Sequence, residues 1–83
     1  MPSYQAVIGL KNVGTPTDSY EEVLRLFLGG VRAGLKEGQG PMWLYEMCYI
    51  TRNGLWHRNF ESARDDAYDL GVLKDGKLVE KGA

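Results

Sequence analysis

Hydrophobic and polar positions alternate at the start of the chain. Tyr4, Ala6, Ile8 and Leu10 are interleaved with Gln5, Val7, Gly9 and Lys11, the period of two that predicts a half-buried strand over Tyr4 to Lys11. Asn12 to Pro16, with the breakers Gly14 and Pro16, predicts a loop. The period then changes. Tyr20, Val23, Leu24, Phe27, Leu28, Val31 and Leu35 recur at helical spacing, behind a Ser19/Glu22 pair with the spacing of a capping box. Three glycines lie in this stretch, Gly29, Gly30 and Gly34, and each costs about 1 kcal/mol relative to alanine inside a helix. Either the helix breaks near Gly29 or the glycines admit a close neighbour. The second alternative is the expectation, with one helix to about Lys36 ended by Gly38, Gly40 and Pro41.

Met42 to Arg52 is rich in aromatic and β-branched residues and predicts a strand. Asn53-Gly54 is the best hairpin signal in the chain, because both central residues of a type I′ turn need positive φ. Leu55 to Asn59 or Phe60 is the returning strand. A second helix follows to about Leu70, with Phe60, Ala63, Ala67 and Leu70 spaced by three and four and Gly71 as its left-handed cap. The tail, residues 72–83, reads as a short edge strand or a flexible end. The expected fold is one α+β domain over residues 1–83, a two-layer sandwich with both helices on one face of an antiparallel sheet. Its β-α-β-β-α order, with a further strand if the tail supplies one, is that of the ferredoxin-like split βαβ fold.

A two-residue turn at Asn53-Gly54 sets the register. Arg52 then faces Leu55, Thr51 faces Trp56, Ile50 faces His57, Tyr49 faces Arg58 and Cys48 faces Asn59. One face carries Trp43, Tyr45, Met47, Tyr49, Thr51, Trp56 and Arg58, and the other carries Met42, Leu44, Glu46, Cys48, Ile50, Leu55 and His57. Neither face is polar, so a two-layer domain leaves large apolar groups uncovered, the mark of an interface or ligand site. With the helices on the aliphatic face, the aromatic face is left for recognition. Burial of the aromatic face as the core is the competing reading.

Charge changes the picture only locally. The chain has 83 residues with 10 basic and 11 acidic side chains and a formal net charge of −1, which counts against a dedicated nucleic-acid binder. Between Gly40 and Phe60, however, Arg52 and Arg58 face a single acid, Glu46. One cysteine excludes an internal disulfide and an all-cysteine metal site. No apolar run reaches the ~20 residues that span a bilayer. Met-Pro-Ser-Tyr opens no signal-peptide pattern, so a cytoplasmic protein away from membranes is expected.

Three groups of residues could carry chemistry. Cys48 and His57 are diagonal neighbours in the expected register, roughly 7 Å apart at Cα, with Glu46 beyond them, and a thiolate, a base and a carboxylate make a nucleophilic triad. A buried thiol beside a strand-end histidine is the plainer reading, and it makes Cys48 a poor nucleophile. Asp65, Asp66 and Asp69 offer oxygen ligands, without the alternating spacing of a calcium loop, and read better as a solvated helix face. Arg52, Trp56, His57 and Arg58 combine cations with an aromatic plane, as single-stranded nucleic-acid binders do. The RNA-recognition signature is absent from this strand.

The segment Gly14-Thr15-Pro16-Thr17-Asp18-Ser19-Tyr20-Glu21-Glu22 resembles the strand-to-helix junction of dodecins, small flavin-storing proteins. The second half of the chain departs from that family, since dodecins end in strands where a helix is predicted here, and no flavin function carries over. The expectation is therefore a non-catalytic interaction or accessory module, self-associated or docked on a protein through an exposed sheet face, using Trp43, Tyr45, Tyr49, Trp56, His57 and Arg58. No catalytic residue, metal or cofactor is assigned. A single-stranded nucleic-acid binder using the 52–58 hairpin is the second reading. A small enzyme or ligand-binding domain with its pocket between subunits is the third.

Overall fold

A computed structural model describes residues 1–80, and its secondary structure follows from three tight turns. Gly9-Leu10, Asn53-Gly54 and Asp75-Gly76 all have positive φ at both central positions, as type I′ turns require. The first joins β1 (Tyr4–Ile8) to β2 (Lys11–Thr17). After the helices α1 (Tyr20–Lys36) and α2 (Pro41–Glu46), the second joins β3 (Tyr49–Arg52) to β4 (Leu55–Asn59). The helix α3 (Phe60–Asp69) follows, and the third turn joins β5 (Leu73–Lys74) to β6 (Lys77–Leu78). Residues 81–83 of the expected tail lie outside the described residues.

Two expectations are corrected. The strand expected over Tyr4 to Lys11 folds back at Gly9-Leu10, so the presumed loop from Asn12 to Pro16 is strand β2. Leu10 holds φ 66°, a conformation that costs a branched side chain about 1–2 kcal/mol. Its amide donates to the Met47 carbonyl at 2.9 Å, which ties the turn to the end of α2. The strand expected over Met42 to Arg52 is a short helix followed by four strand residues. Gly40 precedes it and Pro41 opens it, where a missing amide proton costs nothing and the ring presets φ. The chain thus enters α1 from a hairpin, not from a single strand.

The four main strands form one antiparallel sheet in the order β2-β1-β3-β4, and β5-β6 is a separate ribbon. The architecture is the expected α+β arrangement, with the antiparallel sheet packed against helices. Its smallest extent is 19 Å, consistent with one sheet and one helix layer. Helix α1 is continuous through its glycines and buries Val23, Leu24, Phe27, Leu28 and Val31. These meet Ala6 and Ile50 from the sheet, Cys48 just before β3, Leu44 from α2, Ala63 and Ala67 from α3, and Val72 and Leu73 from the C-terminal segment. The aliphatic side of the β3-β4 hairpin is the core side.

Helix α1 starts on Ser19, whose hydroxyl accepts the Glu22 amide at 3.2 Å. The Glu22 carboxylate turns to the Thr17 hydroxyl, 2.9 Å away, so the capping box is half formed. At α3 the box is complete, between Asn59 and Ser62. The C-terminal ribbon is clamped rather than loose. Arg25 and Arg32 of α1 donate to the Val79 and Gly76 carbonyls, and the Gly76 amide donates to the Tyr68 hydroxyl at 3.0 Å.

The glycines of α1 do different things. A Cβ on Gly34 would fall well inside van der Waals contact of the Trp43 indole, whereas one on Gly29 would meet nothing within 4 Å. Gly34→Ala should therefore destabilise the protein by about 1–3 kcal/mol, as overpacking does. Gly29→Ala should stabilise it by about 1 kcal/mol through helix propensity alone. Urea unfolding of both variants checks this, and equal effects would contradict the close approach of Trp43.

Candidate functional site: the two faces of the second hairpin

The β3-β4 hairpin carries most of the residues with chemistry, and a single bulge decides where they point. Arg52 pairs with Leu55 and Thr51 with Trp56, as the Asn53-Gly54 turn dictates. Beyond that pair the register slips: Ile50 pairs with Arg58 and Tyr49 with Asn59, leaving His57 as an extra residue. The expected pairs of Ile50 with His57, Tyr49 with Arg58 and Cys48 with Asn59 are replaced. Arg58 consequently moves to the face of Ile50, under the helices, and leaves the face of Trp56.

On the helix-covered side this builds a half-buried polar cluster. Arg58 Nε lies 3.1 Å from Asp66 Oδ2 of α3, and the Tyr20 hydroxyl at the start of α1 donates to the same oxygen. His57 stacks with Tyr4 and Tyr20, at ring-centroid distances of 5.8 and 5.7 Å, and the two tyrosines are 5.0 Å apart. Burial, reinforced by the hydrogen bond to Asp66, holds the Tyr20 hydroxyl far above the usual phenol range. Burial and the neighbouring Arg58 and Arg52 push the His57 imidazole below its usual value, so it is neutral at pH 7. With Asp66 engaged by Tyr20 and Arg58, the cluster serves as a tie between β4, α1 and α3.

The opposite face is different in kind. The strand pairings place Gln5, Val7, Asn12, Tyr49, Thr51 and Trp56 together on the side away from the helices, and none of the six is charged. Val7 is buried, Tyr49 and Thr51 are half-buried, and Trp56 is 62% exposed. Among the described residues strand β4 is an edge, paired only with β3. The other edge, β2, is irregular and carries Lys11 and Pro16, both of which discourage further pairing. Leu55, at 73% exposure, and Trp56 leave the β4 edge without such a guard at the tip.

Trp43 and Tyr45 do not belong to the aromatic face. Both lie on α2, where Trp43 packs over Gly34 and Gly9 and Tyr45 meets the Phe60 ring edge-on at 6.1 Å. Gly9, Gln39, Gly40, Pro41, Met42, Trp43 and Met47 line an open cleft of about 530 Å³, which the strand-like composition of Met42 to Glu46 conceals. A proline at the first helical position with Trp43 and Met47 four residues apart was the available signal for that helix.

The triad is not assembled. Cys48 is fully buried in the core at the start of β3, Glu46 is exposed at the end of α2, and His57 sits by Tyr4 at the far end of β1. Burial raises the Cys48 thiol above its usual pKa, which disfavours the thiolate. Among the described residues no group of three or more His, Cys, Asp and Glu side chains is placed to hold a metal ion, and no helix is long and apolar enough to cross a membrane. No protein-family model matches the chain, and neither a curated protein nor a solved structure does.

The His57 environment has a measurable consequence. Its pKa is lower in the folded protein than the unfolded value near 6.5, so the unfolded chain takes up the proton first as pH falls. The imidazole therefore contributes stability above pH 6.5 that is lost as pH drops through the folded value. His57→Gln should flatten the stability profile in that acid window while leaving the profile above pH 7 parallel to wild type. Urea midpoints measured across pH check this; an unchanged acid-side slope in the variant would contradict it.

Proposed function

We propose that this chain is a small non-catalytic interaction module that works through the open end of its sheet, at Trp56. The observation that carries the reading is the conjunction at β4 of an unpaired strand edge with a largely exposed indole on an uncharged face. Interface centres are depleted of charged side chains and enriched in Trp and Tyr, and Tyr49 and Trp56 share this face with uncharged neighbours only. In a sequence with 25% charged residues, a neutral patch of this kind favours contact with another protein surface over a dissolved ionic ligand.

The nucleic-acid reading loses its main support on the same geometry. Stacking and phosphate neutralisation must act on one strand from one side. Here Arg58 is turned under the helices into an ion pair with Asp66, while Trp56 stands on the other face. Of the cluster seen in the sequence, Arg52 remains exposed at the hairpin tip.

A photo-reactive phenylalanine analogue in place of Trp56 tests the proposal in whole cells. The same analogue in place of Leu35, exposed on α1, is the control. An adduct of defined mass is expected from position 56 and none from position 35. Adducts from both alike, or none from position 56, would contradict the proposal.

A further inference from the structure

We infer that the partner at this edge is a second copy of the chain, paired antiparallel through β4 about a two-fold axis at Trp56. This inference rests on the interaction-module reading and names the partner it leaves open. In a hairpin with a two-residue turn, the flanking pair exchanges both backbone hydrogen bonds and the next pair exchanges none. Arg52 and Leu55 are the flanking pair, and Thr51 and Trp56 are the next. The Trp56 amide and carbonyl are therefore directed away from β3, toward the open side of the edge. No backbone hydrogen bond from another described part of the chain reaches them.

A two-fold axis requires one residue to face its own copy. With Trp56 facing Trp56, its amide and carbonyl bond their counterparts reciprocally, and two four-stranded sheets join into one. Leu55 then faces His57 of the other copy, an uncharged pair at neutral pH, and the regular ladder ends there at the bulge. The two indoles lie side by side, each continuous with its own neutral face of Tyr49, Thr51 and Gln5. Charge complementarity favours self-pairing over a charged partner. Two copies of an uncharged face bring no like charges together, while an acidic or basic peptide finds no opposite charge among those six residues. The bulge at His57 shortens the regular part of the edge, so a long extended peptide cannot continue the ladder past it.

Disulfide trapping tests the register, with the buried Cys48 left in place. In a hydrogen-bonded antiparallel pair the Cα atoms are about 5.5 Å apart, within the disulfide range. Trp56→Cys should therefore oxidise to a covalent dimer at least about ten times faster than Leu55→Cys, whose copies are offset by two residues on each strand. Sedimentation of the reduced chain supplies the second measurement. Wild type should be dimeric at high micromolar concentration, Trp56→Val should retain some dimer, and Trp56→Pro should be monomeric. Proline there removes only the outward amide, so circular dichroism should still report the wild-type fold. Equal oxidation of the two cysteine variants, or a wild-type monomer of 9.3 kDa, would overturn the inference. If wild type is monomeric and position 56 still captures a different chain in cells, the second copy is wrong and the module reading stands. If position 56 captures nothing, both fall.

Discussion

One extra residue in strand β4 determines what the rest of this surface can do. Without His57 as a bulge, alternation would carry Arg58 onto the face of Trp56 and place His57 against Ile50 in the core. The bulge instead gives Arg58 the position opposite Ile50, where Asp66 of α3 receives it at 3.1 Å. The ion pair is partly exposed, so its direct contribution to stability is at most about 1 kcal/mol. Its larger effect is positional. It fixes β4 to α3, it shares Asp66 with Tyr20 and so fixes the start of α1, and it removes a cation from the neutral face.

That face is left open because the rest of the apolar material is used elsewhere. Trp43, which would have extended an aromatic strand, is held against Gly34 and Gly9, and Tyr45 is turned to Phe60. Helix α1 approaches closely enough for this because Gly34 presents no side chain at the contact. The core side takes Cys48 and Ile50 from the hairpin region. What remains uncovered is narrower than the aromatic face expected from the sequence: Tyr49, Thr51 and Trp56, joined by Gln5 and Asn12 from the first hairpin around the buried Val7.

The parts of this arrangement legible in the sequence are those fixed by local chemistry. Asn53-Gly54 gave the second hairpin and its first two pairs, Ser19 gave the start of α1, and the apolar spacing carried α1 through its glycines to Lys36. The parts not legible are those where tertiary contacts overrode local preference. Leu10 at positive φ is a turn that no propensity recommends, and it is held by the Met47 carbonyl. Met42 to Glu46 has the composition of a strand, yet Pro41 and packing against α1 make it helical. The bulge has no signature of its own in Leu55-Trp56-His57-Arg58-Asn59. It becomes intelligible only once Asp66 is known to lie across from Arg58, a contact between β4 and the following helix.

Amide hydrogen exchange at Trp56, followed as a function of protein concentration, tests the central claim most directly. Its amide takes no part in the bonding between β3 and β4, so an isolated chain leaves it open to solvent. Exchange near the rate of an unstructured amide at low micromolar concentration is expected, with protection that rises as concentration increases and with no comparable change across α1. Fast exchange that is independent of concentration, up to the millimolar range, would contradict pairing at this edge.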